Sequence, residues 1–129
     1  MTLRIIPERY LPHAQGALRI AAALLFLQHG AAKLFGYPHV DMFNDLKLFS
    51  LLGVGGLIEL VGGTLLLLGL FTRPAAFVLS GEMAVAYFGF HAFQSFWPIH
   101  NKGELAALYC FVFLFFAVAG PGKFALDPD

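Results

Sequence analysis

The chain has 129 residues, of which 59% are hydrophobic and only 12% charged. Soluble domains carry about 25% charged residues, so this composition fits one small domain built to lie in hydrocarbon. Eight basic residues balance eight acidic ones without a basic stripe, which argues against nucleic-acid binding; the lone Cys110 excludes an internal disulfide or a CxxC redox pair.

The opening MTLRIIPERYLPHAQG puts basic residues ahead of an apolar run, as a secretory signal does. That run is long, interrupted by polar residues and closed by no small-x-small cleavage pattern, so it is expected to stay as a first membrane span over residues 17–35. Three further apolar segments follow at 51–70, 75–93 and 104–120, each near the roughly 20 residues that cross a bilayer. Gly36-Tyr37-Pro38, Arg73-Pro74 and Gly120-Pro121-Gly122 punctuate them. The expected fold is all-α: a four-helix transmembrane bundle. Between the first two spans, Met42, Phe43, Leu46 and Phe49 recur at helical spacing, which predicts a short amphipathic helix. Asn101 three residues before Glu104 predicts a capping box opening the fourth helix.

Basic residues in the loops set orientation. Arg4, Arg9, Arg73 and Lys123 fall on the side of the termini, and Lys47 and Lys102 on the other. The expectation is a multi-pass protein of the cytoplasmic (inner) membrane with both termini in the cytoplasm.

Ionisable residues inside such spans are expensive and are by default candidates for function. At about 1.5 Å per residue, His29 and Glu59 lie about 18 and 16 Å from the cytoplasmic side, with Lys33 about 24 Å in. Arg19 and Glu82, about 3 and 12 Å in, are expected to form an inner structural ion pair. His29, Lys33 and Arg19 share an arc of about 80° on the first helix. Gln28 points the other way. Glycines 55, 56, 62 and 63 flank Glu59 and turn it towards protein. Nine residues separate Glu82 from His91, so either the third helix bends near Gly89 or His91 joins His100, Asn101 and Glu104 at an outer mouth.

His29, Lys33, Glu59 and His91 are therefore the candidate ligand-binding residues, with Phe88, Trp97 and Tyr109 as candidate aromatic walls. The competing reading is structural, with the buried charges pairing only to hold helix register. A metal is not expected, because the chain lacks the Glu-x-x-His repeat of di-metal helical bundles. Ser80 and Ser95 stand in no triad context.

In order along the chain, Arg19, Phe26, His29-Gly30 and Lys33-Leu34-Phe35-Gly36 are followed by Glu59, Gly62-Gly63 and the stretch ending at Arg73. Gly103-Glu104-Leu105-Ala106 and Gly120-Pro121-Gly122-Lys123-Phe124-Ala125-Leu126-Asp127 close the set. In these motifs the chain resembles the DoxX family of small four-helix bacterial membrane proteins. The resemblance implies a component of a membrane oxidoreductase or oxidative-stress system, with a quinone as the candidate cofactor and an oxidoreductase subunit or a second copy as partner. Whether the chain is catalytic by itself stays open. A non-enzymatic scaffold and a small proton-linked carrier are the alternatives.

Overall fold

The structure, a computed structural model, describes residues 2–128. Among these residues there are five α-helices and no strand: α1 (Leu11–Phe35), α2 (Leu51–Leu68), α3 (Thr72–Ala86), α4 (Pro98–Asn101) and α5 (Glu104–Ala119). Two of them are long and apolar enough to cross a membrane, α1 with the 3-10 turn before it and α2. Much of the outer surface is apolar, with Leu24, Val61, Phe77, Phe111 and Val118 all exposed. Water would penalise such a surface and lipid does not.

Local chemistry sets the helix ends. Pro12 sits in the first turn of α1, where a missing N–H costs nothing, and Gly36 ends it with φ 67°. The Ser50 side chain accepts from the Gly53 amide to start α2. Gly69, at φ 65°, stops α2 with Leu70 N–H returned to the Leu65 carbonyl.

Glycine also sets the packing of α1 on α2. A Cβ at Gly30 would lie 2.9 Å from the Leu60 nitrogen and 3.0 Å from the Gly56 carbonyl oxygen, so the two backbones touch there. α3 packs on α5, and Ser80 Oγ donates to the Cys110 carbonyl at 2.8 Å. Aromatic side chains fill the centre: the Phe26 ring meets Phe113 at 5.0 Å and Tyr109 at 5.2 Å.

The expected amphipathic helix between α1 and α2 is instead a single 3-10 turn, Asp41–Phe43. Asn44 is extended and Asp45 lies at φ 60°, conformations that short polar side chains favour and a helix cannot absorb. The capping box before α5 is also absent. Asn101 Oδ1 accepts from the Gly103 amide at 2.8 Å, and Gly103 takes the cap position of α5 without a side-chain cap. Near Gly89, one of the two places left open for His91's departure from a straight helix, α3 continues into a π turn, Tyr87–His91.

Candidate functional site

Two buried charged centres stand apart in the molecule. The first is Arg19, fully buried. Its Nε donates to the Leu66 carbonyl at 2.9 Å and its Nη2 to Phe124 at 2.6 Å, while Nη1 donates to the carbonyls of Pro121 and Lys123. Four of the five guanidinium donors are thus placed on backbone oxygens. The expected Arg19–Glu82 ion pair is not formed, because the carboxy-terminal segment folds back over α1 and takes the guanidinium first.

That segment runs as a strap across one end of the helices. Gln15 Nε2 donates to the Gly120 carbonyl at 2.8 Å, and the Lys123 amide to Pro12 at 2.9 Å. Further along, the Leu126 and Asp127 amides donate to the Leu68 and Gly69 carbonyls. Asp127 then accepts from the Phe71 and Thr72 amides at 2.8 and 2.9 Å, and so caps α3 from more than fifty residues away. Partial burial works against the Asp127 carboxylate, but these two amides and the nearby Arg73 outweigh it and hold its pKa below the usual value. The sequence reading missed this role. The signal was present in a glycine- and proline-rich tail that carries Asp127.

The second centre lies where α1, α2 and α3 meet. Lys33 Nζ pairs with Glu59 Oε2 at 2.7 Å, with Glu59 1% exposed. Glu82, from α3, comes within hydrogen-bonding reach of the Glu59 carboxyl. Gly55 leaves the approach to it open, since a Cβ there would lie 3.1 Å from Glu82 Oε2. His29 belongs to the same electrostatic neighbourhood as Glu59 and Lys33, and its ring meets the edges of Phe26 and Tyr109, each at 6.3 Å. The Phe43 ring lies 5.7 Å from the Lys33 ammonium and covers it from the connection. Lys33 also lines a cavity of about 280 Å³ with Leu34, Phe35, Leu46, Leu48 and Gly53.

Hydrogen bonding here is incomplete. With both carboxyls ionised, His29 Nε2, Glu59 Oε1 and Glu82 Oε1 have no partner in the protein. Two carboxylates face one ammonium, so the centre calls for one more proton or one more hydrogen-bond donor.

His91, a candidate ligand-binding residue, is not at this centre: its Nδ1 bonds the Asn101 carbonyl at 2.9 Å, as in the alternative that groups it with Asn101. Asn101, fully buried, donates to Tyr87 Oη at 3.2 Å and to the Ser95 carbonyl at 3.1 Å. His100 and Glu104, the other expected mouth residues, are exposed. The outer group is thus a network that fixes the connection from the π turn to α5. Among the described residues, no group of three or more His, Cys, Asp or Glu side chains is arranged to hold a metal.

An apolar exterior around helices that enclose a lysine and two glutamates defines an all-helical membrane protein with a polar centre. Comparison with known proteins narrows the class. Residues 14–92 match the DoxX family. A Haemophilus influenzae protein described as uncharacterized is 48% identical over 125 residues, spanning 93% of this chain and 92% of its own. The uncharacterized membrane protein Rv3486 of Mycobacterium tuberculosis is 31% identical over 145 residues, spanning 89% of this chain and 83% of its own. No solved structure matches significantly. The chain belongs to the DoxX family of membrane proteins.

Proposed function

We propose that the Lys33–Glu59–Glu82–His29 centre binds the polar ring of a quinone or phenol, and that the protein serves a membrane oxidoreductase or oxidative-stress system. The observation that carries this reading is the trio of buried atoms without protein partners: His29 Nε2, Glu59 Oε1 and Glu82 Oε1. Each unsatisfied buried polar atom costs about 1–3 kcal/mol, so three gathered in one cluster favour a guest that supplies donors and acceptors to them. A phenol or hydroquinone hydroxyl would satisfy the carboxyl pair, and Lys33 or His29 would donate to a quinone oxygen. The residues present therefore suit both states of such a ring. Glu59 and Glu82 would hold or release protons at the ring oxygens, and a partner subunit would carry the electrons.

In this reading the protein crosses the inner membrane four times with both termini in the cytoplasm. Support comes from helix lengths: α3 runs into the π turn to make 20 residues from Thr72 to His91, about 30 Å. α5 adds a 16-residue apolar helix. An even number of spans leaves the carboxy-terminal strap on the side where α1 begins, matching its bonds to Pro12, Gln15 and Arg19.

The test is direct titration of a benzoquinol into the protein in lipid nanodiscs, for the parent and for Glu59→Gln and His29→Ala. Saturable binding that weakens at least about tenfold in both variants is expected. Equal binding by the parent and both variants would reject the site and leave the scaffold reading.

A further inference from the structure

The outward side of the seam between α2 and α3 carries a groove of about 480 Å³ with almost wholly apolar walls. Ile58, Gly62 and Leu65 form one side of it, and Ala75, Val78 and Leu79 the other. Its position matters more than its size. On α2, Gly55, Ile58, Gly62 and Leu65 recur at helical spacing, so the groove lies on the same strip as the glycine that uncovers Glu82. On α3, Leu79 stands one turn before Glu82. On α3 the lining stops at Leu79, one turn short of Glu82, and on α2 it reaches Leu57 and Ile58 beside Glu59, close to two buried oxygens that lack a partner.

We propose that this groove holds the hydrocarbon tail of the same ligand whose ring sits at the carboxyl pair. The site would thus take a single-tailed amphiphile with a hydroxyl- or carbonyl-bearing ring, rather than a small water-borne phenol. This rests on the reading of the centre as a ring site. On α2 the groove's wall runs from Leu57 to Leu65, about 12 Å, enough for a decyl chain and far more than a methyl substituent needs. Gly62, which has no side chain, lets Leu79 lie against α2 across the groove, since a Cβ there would meet Leu79 Cδ2 at 2.8 Å.

Val61 and Val78 line the groove from the outer surface, 54% and 53% exposed, so enlarging them fills it without disturbing the helix seam. The experiment compares the parent, V61F/V78F and Glu59→Gln in identical nanodiscs, so that probe partitioning into lipid cancels. The probes are a benzoquinol with a decyl chain and its methyl counterpart. For the decyl probe, V61F/V78F is expected to weaken binding about tenfold, while the methyl probe shifts by less than about twofold. Glu59→Gln weakens both. Undiminished decyl binding in V61F/V78F, with Glu59→Gln still impaired, would overturn the tail groove and leave the ring site standing. No binding of either probe to the parent would overturn both.

Discussion

The two buried charged centres differ in how far the protein satisfies them. Arg19 is saturated: four donors meet four backbone oxygens, and nothing is left for a ligand. The Lys33–Glu59–Glu82–His29 centre has one strong ion pair and three buried atoms without partners. Burial alone therefore does not mark a functional site, since both centres have it. The distinction is whether hydrogen bonding closes within the protein. A closed centre is fastening, and an open one is capacity for a proton or a guest.

Removing the saturated centre should have the largest effect on stability. Arg19→Met would strand the Leu66, Pro121, Lys123 and Phe124 carbonyls, and a loss on the order of 4 kcal/mol is expected, read as thermal unfolding in detergent. A variant as stable as the parent would remove the strap from the account. Next comes the seam that brings Glu59 to Lys33. Gly30→Ala should cost about 2 kcal/mol, because its methyl meets the backbone of α2, which cannot move aside as a side chain can.

Asp127→Ala should cost about 1 kcal/mol through loss of the α3 cap. Its folded pKa lies below the unfolded value, so the carboxylate's stabilisation is complete above about pH 4. It fades as pH falls through the folded pKa. The melting temperatures of parent and Asp127→Asn should converge in that acid range and separate above it. Glu59→Gln should change stability least, by under about 1 kcal/mol, because the amide keeps a carbonyl oxygen that can accept from Lys33 Nζ where Glu59 Oε2 now does. Its effect on ligand binding should be the largest of the four. A variant that unfolds like Arg19→Met would show the second centre to be fastening as well.

How much of this was legible in the sequence depended on range. Hydrophobic runs and their Gly and Pro punctuation placed most ends of the long helices to within three residues, but α1 starts six residues before its expected span and α3 gives way to the π turn at Tyr87. Equal depth and a shared helix face brought His29, Lys33 and Glu59 together. Depth also suggested Arg19 for Glu82, and there it misled. Depth ranks side chains against one another, whereas Arg19 is taken by main-chain carbonyls of a tail with no helical period to read. Glu82 reaches Glu59 instead, because Gly55 removes the side chain that would stand between them. The network around Asn101 was legible in part: one alternative grouped His91 with Asn101, which it bonds, whereas the Asx turn and the bond to the Ser95 carbonyl are local backbone matters without a sequence period.

Mass spectrometry of the protein extracted gently from native membranes, alongside Glu59→Gln, tests the central claim most directly. A quinone or phenol retained near stoichiometry by the parent and lost from the variant is the predicted result. A parent that carries no such molecule, or a variant that keeps it in full, would contradict the assignment of the open centre as a ligand site.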